Sequence, residues 1–458
     1  MLDEDLIKYF SNLVKEGFYG DIRLNETDGT SIIMENGIVR SVSETKSGGF
    51  GLRLLKGGVW AFSSSDDMTK AAIKKSVDYA YKVLRSKPNN GKGFKITPQE
   101  NNAVVKPNWR LDTRGVGIKD KLDVVKRADK AAMGRYTVST RTIYGDGVSS
   151  WMVGSNIGNI VSFSDSAPRL LTFSFVKDGS SVQYVRKSIG ANTGFELFDG
   201  NVPEKLGSDA KKESNMIRNA KQVKGGKYDV VLDYSMTGTY THEAFGHASE
   251  ADGILEGASV LEGKLEKKVG NEIVNIIDDP TLKDRRGSFS FDQEGTRAER
   301  RIIVENGVLK NYLHTLETAS RLNAAPNGAA RAMNYKVKPI ARMSNTLIAQ
   351  GDFEEDIFEG IEKGVMFYGF QYGYVDPGSG KFMFKAQYGR MIRHGKLAEF
   401  VRDAALTGST LDILNRIDAI SKYEFDLDDG TCGKEGQWVS VGTGGPNIRI
   451  KGVVVGGQ

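Results

Sequence analysis

The sequence has a single cysteine, Cys432, among 458 residues. No intramolecular disulfide framework can form, and one thiol fits a reducing, cytoplasmic setting. Histidine is nearly as scarce, with four residues in the chain. Proline is also rare, 10 residues against 54 glycines, which points to many tight turns rather than disordered linkers. No apolar run approaches the ~18 residues a membrane-spanning helix needs, so no membrane association is expected. The acidic start, Met1-Leu2-Asp3-Glu4-Asp5, lacks the basic and apolar regions of a signal peptide. Basic and acidic residues almost balance, 63 against 58, and no Lys/Arg cluster carries interleaved aromatics, so no nucleic-acid partner is expected. What remains is a globular composition, long enough for two or three domains with sizeable cores.

Two of the four histidines stand together in Tyr240-Thr241-His242-Glu243-Ala244-Phe245-Gly246-His247-Ala248-Ser249-Glu250. The pattern is H-E-x-x-x-H, one residue longer than the zinc-protease helix motif H-E-x-x-H. Residues four apart on an α-helix are rotated by about 40° and face one metal, whereas residues five apart are rotated by about 140°. A π-bulge would bring the imidazoles back together, with Gly246 supplying backbone freedom. Glu243 is placed for a general base rather than a third ligand. Cys432 lies in the glycine-rich Gly430-Thr431-Cys432-Gly433-Lys434-Glu435-Gly436-Gln437. Two imidazoles and a thiolate suffice for a catalytic zinc with an open fourth position. An isolated H-E-x-x-x-H also arises by chance on ordinary helices; the lone cysteine in a turn-like setting counts against that.

The pattern along the chain reads as α+β. Residues 1–224 form an N-terminal region, divisible into 1–90 and 115–224, and residues 225–458 a second domain, with the boundary at Lys224-Gly225-Gly226. Leu6, Ile7, Phe10, Leu13 and Val14 repeat at helical spacing and stop at Gly17. Short strands Ser31–Met34 and Ile38–Ser43 flank Asn36-Gly37, and Gly51–Leu55 and Val59–Phe62 flank Lys56-Gly57-Gly58. Ser65-Asp66-Asp67 can cap a helix to about Leu84. Ser86–Gly93 is polar and turn-rich, and the chain to about Gly117 reads as connector. A helix over Lys119–Met133 precedes strands at Tyr136–Tyr144, Trp151–Val153, Ile157–Ser164 and Leu170–Lys177, then a helix over Glu204–Gln222. In the second domain Ser235 can cap the histidine helix, and many later strands suggest a large antiparallel, barrel-like sheet.

The segments Gly238–Glu250, Asp278-Asp279-Pro280, Arg286-Gly287-Ser288, Phe291-Asp292-Gln293-Glu294-Gly295-Thr296, Arg342-Met343-Ser344-Asn345-Thr346 and Thr431–Gln437 together resemble the TldD/PmbA family, described as modulators of gyrase. Val441-Gly442-Thr443-Gly444-Gly445-Pro446-Asn447 is similar to the family's C-terminal signature. The family has subunits with and without H-E-x-x-x-H, and this chain resembles those with it. The resemblance implies a cytoplasmic zinc metallopeptidase that threads unfolded peptides to a buried site and cuts with little sequence preference. It places one zinc on His242, His247 and Cys432 and the catalytic role on Glu243. It also implies a homodimer, or a heterodimer with a TldE/PmbA-like sister subunit. One departure is Arg297, where Gly-Thr-Pro would be expected.

Other residues carry weaker expectations. Glu250 and Asp252 can orient a ligand imidazole. His314 and His394 read as surface or structural histidines, and Asp278-Asp279 and Asp426–Asp429 as solvated turns. The glycines of Val441–Gly445 and Gly369–Gly373 either let a peptide backbone approach or simply make turns. Three alternative functions stay open: a zinc hydrolase of a non-peptide amide, a non-catalytic peptide-binding or regulatory subunit, and a structural zinc site. The last usually closes its fourth position with another Cys or His, and none has suitable spacing here.

Overall fold

The computed structural model describes residues 2–86, 94, 96 and 101–456. The turn-rich stretch 87–93 lies outside the described residues. The first helix, Glu4–Leu13, starts where Asp3 accepts a hydrogen bond from Asp5 N at 2.9 Å, and it buries Leu6, Ile7 and Phe10. Two long strands follow, Tyr19–Glu35 and Ile38–Lys56, paired antiparallel from Tyr19↔Leu55 to Glu35↔Ile38. Asn36 (φ 52°) and Gly37 (φ 75°) make the turn, as the Asn-Gly signal predicts.

The two expected short hairpins are therefore one long ladder extended by Val59–Ser65. Thr137–Ser155, expected as two pieces, is likewise continuous. The reason is pairing on both sides: the polar stretch Asn25–Ser31 is bonded to Ser43–Gly49 on one flank and Gly145–Trp151 on the other. Backbone hydrogen bonds hold these residues extended where side-chain hydrophobicity gives no signal. A strand at Ser181–Gly190, paired with Arg169–Asp178, escaped the sequence pattern altogether. The helix after the first strands is Lys70–Ser86; Thr69, not Ser65–Asp67, caps it by accepting from Ala72 N at 3.2 Å. The helices Ile118–Ala132 and Val202–Ile217 pack on the N-terminal sheet that these strands form.

In the C-terminal half, Lys363–Asp376, Gly226–Leu232, Ile448–Gly456, Ala405–Ser409 and Lys381–Arg393 pair in that order. The last strand pairs back onto the first, which closes a five-stranded barrel. Lys221 and Gln222 already pair with the barrel's sheet, so the chain changes sheet before Lys224. A six-stranded sheet lies alongside, and its last two strands, Gln437–Gly445 and Asp426–Lys434, carry the cysteine.

The histidine segment runs between barrel and sheet. Tyr240, Ala244, Phe245 and Ala248 share one core with Phe367, Phe384 and Val441. Asp233 caps its first turn, accepting from Met236 N at 2.8 Å; Ser235, expected as the cap, sits inside the turn and bonds Asp428. Helix and cysteine hairpin meet backbone to backbone, since a Cβ on Gly238 would lie 2.3 Å from Gly444 N. Gly238→Ala is therefore expected to cost about 1–3 kcal/mol or more, because backbone cannot yield as a side chain can. A urea titration reads this; an unchanged midpoint would contradict the tight docking.

Ion pairs, one buried and one half-buried, tie the two halves together. Arg53 reaches Asp21 at 2.6 Å and Glu294 at 2.8 Å, and Arg169 pairs with Asp429.

Candidate metal centre

Tyr240–Gly246 is a π-helix, so the distortion expected from five-residue spacing is present as a full segment. Its register joins the two histidines directly: His247 N donates to His242 O, the i→i+5 bond of a π-helix. Gly246 does not serve as expected, because its φ −58° and ψ −51° are ordinary helical values. What it provides is space, since a Cβ there would lie 2.0 Å from Met343 Sδ. Cys432 is delivered by the neighbouring hairpin. Glu435 (φ 50°) and Gly436 (φ 72°) form its two-residue turn, and Cys432 pairs with Val439.

The ligand atoms of His242, His247 and Cys432 lie within 4.8 Å of one another. Cys432 Sγ is 3.4 Å from His247 Nε2. Tetrahedral zinc with ordinary Zn–N and Zn–S bonds separates its ligands by about 3.4–3.6 Å, the spacing that the Cys432–His247 pair already has. His242 is 3% exposed, and its Nδ1 is a buried polar atom with no hydrogen-bond partner. Such an atom calls for a ligand or water. Glu243 is the open member: its side chain is 34% exposed, and Oε2 lies 3.8 Å from His247 Nε2.

Electrostatics favour a thiolate. Burial would push the Cys432 thiol up, but His242 and His247 together bring it down to about 5. Burial also disfavours charge on His247, yet Glu250 and Cys432 raise it well above its usual value. A divalent ion can take over the role of these protons. Glu250 Oε2 lies 2.9 Å from His247 Nδ1, and despite burial the charges of His247, Lys434 and Arg342 hold its carboxyl at about 2. Two imidazoles, one thiolate and an orphaned buried nitrogen fit a zinc ion, with a carboxylate beside it. Among the described residues no other group of this kind occurs.

Comparison with known proteins gives the class and the family. Residues 225–457 match the model of the PmbA/TldA metallopeptidase C-terminal domain, and residues 20–84 that of domain 1. A metalloprotease of Methanothermobacter thermautotrophicus is 37% identical over 446 residues, 96% of this chain and 95% of the relative. A zinc metalloprotease TldD homologue of Saccharolobus solfataricus is 30% identical, covering 91% of each chain. Two crystal structures share the fold. A candidate DNA gyrase modulator of Thermotoga maritima has TM-score 0.82 at 22% identity, covering 99% of this chain and 100% of its own. TldE of Thermococcus kodakarensis has TM-score 0.81 at 16% identity, covering 99% of each. The chain belongs to the PmbA/TldD family of metallopeptidases.

Other expectations need correction. Asp278 is not in a solvated turn: it is fully buried, accepting from Ser344 N and Thr346 Oγ1 and pairing with Arg301. Asp428 is half-buried and bonded by Ser235, and Asp429 anchors Arg169 and Ser188. Of the two acids after the histidines, only Glu250 reaches an imidazole; Asp252 bonds Lys434 at 2.7 Å. In Val441–Gly445 the close approach is internal, between Gly444 and Gly238. Arg297 faces Phe291 across a β-bridge. Sequence reasoning gave no role to Arg342 and Lys434, whose segments were noted only for their resemblance. Both reach Glu250 or the cysteine hairpin.

His394 is exposed, whereas His314 is buried at 3% exposure and burial pushes it down to about 4. The unfolded chain, with an ordinary value near 6.5, takes up this proton first as pH falls. The stability due to neutral His314 is thus complete above about pH 6.5 and lost between there and pH 4, on the order of 2–3 kcal/mol. Chemical denaturation of wild type and His314→Gln should show their stability difference falling by that amount from pH 7 to 4. A constant difference would contradict the burial argument.

Proposed function

We propose that the protein is a zinc-dependent peptidase that hydrolyses unfolded peptides. The observation carrying this reading is the convergence of His242, His247 and Cys432 within 4.8 Å, with the partly open Glu243 carboxylate beside them. The zinc name of the Saccharolobus relative supports the choice of metal. His242, His247 and Cys432 would hold the ion, which when bound supplies a Lewis acid for the scissile carbonyl and the attacking water. Glu243 takes a proton from that water on a carboxylate oxygen as the oxygen attacks the carbonyl carbon. It then returns the proton to the departing amine nitrogen, which completes cleavage of the C–N bond. The surrounding core, with Tyr240, Phe245 and Val441, keeps bulk water from the ligands.

A structural zinc site fits less well, because it would need a fourth protein ligand. A non-catalytic subunit would have no use for a carboxylate held next to the ligands. Cytoplasmic location and pairing with a like-folded chain, a second copy or a TldE/PmbA-like subunit, belong to this proposal as well.

The test is cleavage of an unstructured peptide followed by mass spectrometry, before chelation, after it, and after zinc is restored. Cleavage that disappears and returns is the expected result. Cleavage unaffected by full metal removal would overturn the reading.

A further inference from the structure

The ligands come from segments 185 positions apart, and a buried set of charges that the hydrolysis does not use lies between them. Glu250 is 2% exposed and Arg342 is fully buried. Glu250 Oε2 lies 2.9 Å from His247 Nδ1 and 3.1 Å from Lys434 Nζ. Lys434, two residues beyond Cys432, also reaches Asp252 at 2.7 Å and Ala341 O at 3.2 Å. Arg342 donates to Cys432 O at 2.7 Å and Gln437 O at 3.2 Å, gripping the cysteine hairpin on both strands. Its Nε faces Glu250 Oε1 at 3.9 Å, and neither atom has a hydrogen-bond partner.

We propose that Glu250, held by Arg342 and Lys434, is a positioning residue that sets the tautomer of His247 and fixes the histidine helix against the cysteine hairpin. This rests on the metal-centre reading above. An ionised carboxylate only accepts, so the His247 nitrogen facing it, Nδ1, carries the proton. That leaves the Nε2 lone pair toward Cys432 Sγ, 3.4 Å away, where a shared ion would bind. Carboxylates of this kind orient a ligand imidazole and make it more basic. The same carboxylate meets cations attached to the hairpin, so one group registers both ligand-bearing elements. Buried ion networks are poor stabilisers compared with apolar packing. Fixed geometry accounts for this one better than stability does.

The experiment measures zinc affinity with a competing chelator for wild type, Glu250→Gln, Glu250→Asp and Lys434→Gln, alongside the melting temperature of each metal-free protein. Glu250→Gln keeps the reach and loses the charge; Glu250→Asp keeps the charge and loses the reach. Both are expected to weaken zinc binding by about 10–100-fold, and Lys434→Gln by less. The partly exposed Lys434 variant carries the test should a Glu250 variant fail to fold. In zinc-loaded wild type labelled with ¹⁵N-histidine, where only four histidines contribute, His247 should show a protonated Nδ1 and a metal-bound Nε2. A metal-bound Nδ1, or wild-type affinity in all three variants, would overturn the inference alone. Wild type that binds no zinc would overturn the metal-centre reading beneath it.

Discussion

Glu243→Gln is expected to lower peptide hydrolysis by about 10²–10⁴-fold while zinc stays bound. The side chain is 34% exposed and its Oε2 is 3.8 Å from His247 Nε2, beside the ligands but not among the three converging atoms. Glutamine preserves volume and hydrogen bonding and removes only the ability to take and return a proton. The loss should therefore fall on kcat, with peptide affinity and zinc content little changed. Steady-state cleavage of an unstructured peptide together with metal analysis reads all three. A variant that cuts at the wild-type rate would remove Glu243 from the mechanism. One that loses zinc would make it a ligand.

Cys432→Ser carries the second large effect, on metal retention. The thiol lies at about 5, held there against burial by His242 and His247, so the site supplies an anionic ligand at neutral pH. A serine hydroxyl is a poorer zinc donor and does not ionise in that range. Affinity should fall by more than the roughly 10–100-fold that follows loss of an outer partner. Dialysis against a chelator that spares the wild type should strip the variant. Equal zinc content would take Cys432 off the ligand list.

The convergence of His242, His247 and Cys432 was legible in the sequence because the candidate site is built from rare residues. With one cysteine and four histidines, few ligand sets are available, and five-residue spacing called for the π-helix that is present. The reason for Gly246 was not legible, because it depends on Met343, a residue brought alongside by the fold. The burial of Asp278 was hidden in the same way: Asp278-Asp279-Pro280 has turn composition, and only the fold places Arg301, Ser344 and Thr346 around Asp278. The long strands Tyr19–Glu35 and Thr137–Ser155 were underestimated because their middle sections are polar and owe their extension to partners on both flanks. Local capping failed by small margins, Asp233 and Thr69 taking the places expected of Ser235 and Ser65–Asp67.

The most direct test of the account is a crystal of the purified protein measured on either side of the zinc absorption edge. The account predicts one anomalous peak per chain, bonded to His242, His247 and Cys432, with Glu243 facing the open side. A chain without a peak there, despite zinc in the medium, or a peak held by other residues, would contradict it.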